Sequence, residues 1–259
     1  MTTLSLSLPT APKRAAFGKI VQNEARLALR RPARQLGSIA IPLVLVVLFG
    51  NLKTFHQAVP GAGGLTLFDM YVPVLMVFSL AMLALMGLPM PLASYRELGV
   101  LRRLSTTPVP PSWVLAAQGI VQLCVALATI AIVLTASIAA FGERAPVSPT
   151  GLAASIVLAI AGLFPIGLVI AAAARTAGGA NVLGRVAFFP LMFFAGLWLP
   201  RALMPPALLD ISNFTPLGAA VQAIQASMLQ GFPPVAPLLV LAGYAVLFSY
   251  LARRFFRWE

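Results

Sequence analysis

Side chains able to do chemistry are scarce in this sequence. Its 259 residues include one histidine, one cysteine and six acids, and charged residues make up 9%. With His56 alone, a two-histidine zinc motif is excluded. Cys124 lies inside an apolar run without a partner, so no intramolecular disulfide is possible and it reads as a small buried hydrophobe. Lys13, Lys19 and Lys53 are the only lysines. None stands in the Gly-Lys-Ser/Thr setting of a phosphate-binding loop, because Lys19 precedes Ile20 and Lys53 follows Leu52. The acids Glu24, Asp69, Glu97, Glu143, Asp210 and Glu259 all fall at or beyond the ends of apolar runs. No titratable group therefore sits where proton- or sodium-driven carriers keep one, near a membrane midplane. No serine lies in a nucleophile elbow. Catalysis by this chain is not expected, nor is a cofactor or metal of its own.

What the chain does hold is apolar surface. Hydrophobic residues reach 60% and the mean hydropathy is +0.95, which places it among integral membrane proteins. No stretch has the mixed composition of a second, soluble domain, so residues 1–259 read as one all-α membrane domain. The first twelve residues lack a continuous apolar core, and a cleavable signal peptide is not expected. A spanning helix needs roughly 20 apolar residues. The sequence predicts six spans, near 36–52, 70–92, 113–141, 151–174, 182–199 and 235–252, the fifth of uncertain start.

The formal charge of +12 is distributed in a way that tests this topology. Lysines and arginines cluster beside the apolar runs, as expected where cations stop helices at the cytoplasmic leaflet and meet membrane lipid, and no basic stripe for nucleic acid is present. With both termini cytoplasmic, fifteen fall on the inner side and three, Lys53, Arg144 and Arg201, on the outer.

Residues 203–234 are apolar but interrupted by Asp210, Asn213, Gln222, Gln225 and Gln230 and by Pro205, Pro206 and Pro216. A seventh span there would put Arg253, Arg254 and Arg257 outside. The segment, 203–232, is read instead as re-entrant, short helical pieces covered by the bundle. Prolines 42, 89, 91, 165 and 190 fall within or at the ends of spans. They predict bends, either as plain packing or as hinges along a pathway.

Ahead of the first span, residues 13–34 are basic and helical in pattern. Phe17, Ile20, Val21, Leu27 and Ala28 share one face, and Lys19, Gln22, Asn23, Arg26 and Arg30 the other. Such a helix lies along the cytoplasmic leaflet until Pro32 turns the chain inward. Glu24 falls on the apolar side, in need of an arginine or another partner. The first inner loop places Leu98, Leu101 and Leu104 at a spacing of three beside Arg102 and Arg103, a small amphipathic helix stopped by Pro108.

Two stretches resemble the ABC type-2 permease family, the membrane subunits of ATP-binding-cassette exporters. In the inner loop the matching residues are Arg96, Glu97, Gly99, Leu101, Leu104, Thr107 and Pro108. In the stretch from Phe193 to Ile224 they are Gly196, Pro200 and Pro205, followed by Asn213 and Pro216. The helix ending Arg30-Arg31-Pro32 is a weaker third match. The short outer loops resemble the small bacterial antibiotic-resistance permeases.

The resemblance implies a permease of the bacterial plasma membrane that is a homo- or heterodimer with a second permease subunit. It also implies cytoplasmic ABC ATPase subunits, which would carry the ATP and magnesium. Arg96, Glu97, Leu98, Gly99, Leu101, Arg102, Arg103 and Leu104 would form the ATPase-coupling loop. Arg175 and Arg185 bracket a second inner loop, as contacts to the ATPase or as plain helix-end anchors. Spans one, two and five would enclose the pathway, lined by Met76, Phe78, Met82, Phe189, Phe193 and Phe194, all equally compatible with ordinary packing. An ATP-independent channel or carrier, and a non-transporting scaffold, are the competing readings.

Overall fold

The computed structural model describes residues 13–30, 32–59, 64–100 and 110–255. All regular elements among them are helical; the one extended pairing is an isolated bridge between Ala58 and Thr66. The order is α1 (Lys13–Arg30), α2 (Pro32–Asn51), α3 (Leu67–Met82), α4 (Pro89–Glu97), α5 (Pro111–Phe141) and α6 (Pro149–Ala173). Then come α7 (Ala177–Ala195), α8 (Pro206–Phe214), α9 (Pro216–Leu229) and α10 (Val235–Phe255). Short 3₁₀ turns follow α2 and α7, and a π turn, Leu83–Gly87, joins α3 to α4.

Five helical stretches are long and apolar enough to cross a membrane: Leu67–Glu97, Trp113–Phe141, Pro149–Ala173, Ala177–Ala195 and Val235–Phe255. Gly37–Asn51 within α2 is a shorter apolar helix. The helix expected from residue 182 begins at Ala177, so the connection before it is only three residues, 174–176. The interrupted stretch after α7 becomes two helices, α8 and α9, that meet at Thr215.

The termini of these helices are written in small polar residues and proline. Thr66, Ser148, Thr176 and Thr215 each accept a backbone N–H from the first turn that follows, at 3.0 to 3.1 Å. That satisfies donors a helix start otherwise leaves bare. Proline opens α5, α6, α8 and α9, where its missing N–H costs nothing. Gly142 and Gly196 close α5 and α7 in the left-handed conformation.

The Leu67–Glu97 rod is the axis of the bundle, with 83% of its apolar stretch buried against 17% for α10. Its upper half packs on α2, α5 and α9, and its lower half, α4, on α6 and α7. Helix α10 covers α6, and α9 lies among α3, α6, α7 and α10. Serines tie α9 to the start of α6: the Ser155 and Ser227 hydroxyls are 3.1 Å apart, and the Ser148 N–H donates to the Ser227 carbonyl at 3.0 Å.

The π turn has a local cause. Pro89 and Pro91 carry no N–H, so the carbonyls of Leu85 and Gly87 lose their α-helical donors. The chain widens, and the Leu88 N–H donates to the Leu83 carbonyl at 2.8 Å. In that register the donor for Ala84 would again be Pro89. Neighbouring helices close the gaps. Gln122 of α5, 1% exposed, donates its amide to the Gly87 carbonyl at 3.1 Å. Gly167 of α6 and Gly184 of α7 press against the Ala84 and Leu85 carbonyls so closely that neither has room for a Cβ. Close backbone approach at small residues is how helices associate where lipid removes the hydrophobic drive.

Candidate functional site

At the lower end of α4, two adjacent side chains of opposite charge reach two different helix ends. Arg96 Nη1 donates to the carbonyls of Ala171 and Ala172, in the last turn of α6, and of Ala174, its C-cap, at 3.3, 3.3 and 3.1 Å. Glu97 Oε2 accepts the backbone N–H of Ala177, the first residue of α7, at 2.9 Å. A cation at a helix C-terminus and an anion at an N-terminus each meet the favourable end of the helix dipole. The Arg96–Glu97 pair therefore clamps both sides of the 174–176 connection to the end of α4.

A third link joins this corner to α1. The Tyr95 hydroxyl donates to the Glu24 carboxylate, at 2.8 and 3.0 Å to its two oxygens. Glu24 is 8% exposed, which explains an acid on the apolar face of a basic helix: that face turns toward α4 and α5 rather than toward lipid alone. Phe17 adds an edge-to-face contact with Trp113 at the start of α5, 5.6 Å between centroids. Consecutive residues 95, 96 and 97 thus bind α1, α6 and α7 in turn.

Beyond Glu97 the chain turns. Leu98 is 65% exposed, Gly99 is left-handed at φ 66°, and its N–H donates to the Arg96 carbonyl at 3.0 Å. Leu101, Arg102, Arg103 and Leu104, with Thr107 and Pro108, lie outside the described residues. Arg175 is exposed in the 174–176 connection, and Arg185 is exposed on α7 about two turns into the helix rather than at a loop edge.

The residues expected to line a pathway divide. Met76 and Phe78 are in the core of this chain, Phe78 edge-on to Phe188 at 5.5 Å. Met82, Phe193 and Phe194 are half-buried, and Phe189 is exposed and stacks on Trp198. Exposed apolar side chains continue along α7 at Val182 and Val186 and along α2 at Ile41, Val44, Val47 and Leu48.

The Gly196–Pro216 motif builds a polar knot at the other end. Gly196 ends α7, Pro200 leads into the 3₁₀ turn, and Pro205 and Pro216 lead into α8 and α9. Arg201 donates to the Ser212 hydroxyl and, at 2.6 Å, to Asn213 Oδ1, while Ser212 donates to the Phe194 carbonyl at 2.5 Å. Burial pushes the Arg201 guanidinium below its ordinary pKa. Among the described residues, no three His, Cys, Asp or Glu side chains stand together as a metal-binding group.

The links from Tyr95 and Glu24 and the amide of Gln122 escape a reading of the sequence. The signal for the last was a glutamine within an otherwise apolar run.

A bundle of long apolar helices around a buried central rod defines a membrane-embedded helical protein. The family model for the ABC-2 type transporter matches residues 15–229, and the chain belongs to that family. It is accordingly a permease component of an ABC transporter, a family whose members partner ABC ATPases. Comparison with curated proteins gives no match.

Proposed function

We propose that this chain is the membrane subunit of an ATP-driven exporter of hydrophobic or amphipathic compounds in the bacterial plasma membrane. The observation that carries the reading is the anchoring of residues 95–97 to three helices. The segment that follows, 98–104, takes up the push of a cytoplasmic ATPase. Arg96 and Glu97 pass that displacement to α6 and α7 instead of meeting the ATPase themselves.

In this reading α2 joins the five longer helices as a sixth crossing, α1 lies along the inner leaflet, and α8–α9 re-enters from outside. At about 1.5 Å per residue, the apolar stretch Gly37–Asn51 reaches roughly 22 Å, and the polar start of α2 with Arg34 continues it toward the inner headgroups. The exposed apolar faces of α2 and α7 meet a second permease subunit, identical or similar, around the pathway. The antibiotic-resistance permeases remain the nearest analogy for cargo.

The test is co-expression of the tagged chain with its ATPase, purification and reconstitution into vesicles. ATP-dependent flux of a hydrophobic dye, with the ATPase lost on reversing charge at Arg102 and Arg103, supports the reading. Flux without any ATPase or ATP makes the chain a self-sufficient channel or carrier. A stable complex that moves nothing makes it a scaffold.

A further inference from the structure

At the end of the bundle opposite Arg96, where Phe68 of α3 meets Phe141 of α5, two buried carboxylates lie close enough to interact. Glu143, in the loop after α5, is 5% exposed, and Asp69, in the first turn of α3, is 7% exposed. Their surroundings are unequal. Asp69 Oδ2 accepts the Thr66 N–H at 2.7 Å and the Thr66 hydroxyl at 2.9 Å, completing the cap of α3. No side chain donates to either oxygen of Glu143, and the adjacent Arg144 amide is its one weak source of relief. A buried anion without a side-chain donor, next to a second anion, is the arrangement in which charge is most costly and a proton relieves it. Asp69 is already engaged as an acceptor by two donors, so the proton belongs on Glu143, whose hydroxyl then has the Asp69 carboxylate to donate to.

We propose that Glu143 and Asp69 form a protonation site that latches the ends of α3 and α5 together through one shared proton and releases them when the proton leaves. Apolar contacts flank the pair. Phe141 meets Phe68 edge-on at 5.6 Å, and Gly50 at the end of α2 lies against the Phe141 ring with no room for a Cβ. Parting of Glu143 from Asp69 therefore loosens α2 as well.

Burial first, and the Asp69 charge second, push Glu143 up to about 7, with the amide and charge of Arg144 offsetting only part of this. The other basic side chains at this end point elsewhere, Arg201 to Ser212 and Asn213. Lys53 and His56 are exposed on the 3₁₀ turn after α2; the His56 ring lies against Phe68, and its Nε2 meets the Gly50 carbonyl at 2.7 Å. The end of α9 gives this loop only backbone carbonyls, from Ser227 and Met228. On the orientation proposed above, the proton comes from the outer medium; the site itself does not depend on that orientation.

The unfolded chain gives up this proton near 4.5 and the folded chain near 7, so between those values folding takes up a proton, and above them it must bury a charged carboxylate and is favoured least. Stability should fall as pH rises through that window and level off above it. The experiment follows thermal unfolding of the full chain in lipid nanodiscs from about pH 5 to about pH 8.5. Wild type should lose midpoint across the window. Glu143→Gln should be flat and, at the alkaline end, more stable than wild type. Asp69→Asn, which keeps an oxygen for the Thr66 cap, should move the fall to lower pH. An unchanged pH profile in Glu143→Gln, or a uniformly lower midpoint, overturns the proposal. Infrared difference spectra of wild type between pH 6 and 8, roughly one unit either side of neutrality, give a check that needs no variant. A protonated-carboxyl band that disappears over this range supports the latch, and its absence refutes it. Neither measurement involves an ATPase or a cargo, so both stand apart from the transport reading.

Discussion

Glu97 Oε2 accepts the N–H of Ala177 at 2.9 Å, so the last residue of α4 completes the first turn of α7. The family-like loop residue most open to reading as a docking contact is turned back into its own bundle. Glu97→Gln keeps an acceptor there and should retain ATP-driven flux near the wild-type level. Glu97→Lys sets a cation against the positive end of α7, a change of about 1 kcal/mol at that helix start. We expect flux to fall several-fold while the ATPase still co-purifies. Loss of the ATPase with Glu97→Lys would make Glu97 a docking residue after all.

Arg96 serves three carbonyls at the end of α6. Arg96→Ala leaves them without this donor, and the midpoint of thermal unfolding in nanodiscs should drop by the equivalent of about 1 to 3 kcal/mol. Arg96→Lys, a single ammonium in place of a planar fork, should lie between the two. A midpoint unchanged in Arg96→Ala would show that the contact contributes nothing.

Tyr95→Phe removes only the hydroxyl that binds Glu24. A hydrogen bond to a charged group is worth about 1.5 to 3 kcal/mol, enough to raise local opening of α1 roughly tenfold or more. Hydrogen–deuterium exchange should quicken in α1 and stay unchanged in α10. Equal protection of α1 in both forms would mean that packing at Phe17 and Trp113 alone holds it.

Gly184→Ala and Gly243→Ala place the same methyl in two very different surroundings. At Gly184 it runs into the Leu85 carbonyl, whereas at Gly243 of α10 nothing lies within 4 Å. The first should destabilise by about 1 to 3 kcal/mol through overpacking. The second should be neutral or stabilise by up to about 1 kcal/mol, as alanine orders a helix better than glycine. The pair of unfolding midpoints decides it: similar losses at both positions would refute the close approach at Gly184.

Helices of this length were legible because a run such as Val114–Phe141 carries no charge at all, and length with composition is enough to place such a segment. Start points were harder. Arg185 suggested a helix end, yet Thr176 was the true signal, a capping threonine at the end of the 174–176 connection that the apolar pattern alone does not weigh. Arg96 and Glu97 stood out through family-like spacing, but their partners are carbonyls and an amide more than 70 residues away, which no local pattern encodes. Pro89 and Pro91 announced a bend. That Gln122, Gly167 and Gly184 would answer it depends on how three other helices are arranged around the rod. Glu143 and Asp69 each read as an ordinary end-of-helix acid, and only their nearness in space makes them unusual.

The π turn divides the central rod into two lengths with different company. Below it, α4 is geared to α6 and α7; above it, α3 bears on α2, α5 and α9. A load applied at residues 95–97 is thus delivered to the lower gears first. Along the rod it would reach α2, with its bare apolar flank, across a joint whose carbonyls are packed by two glycines and met by one amide. Under the proposed function such a rod would work as a jointed linkage, not as a stiff piston.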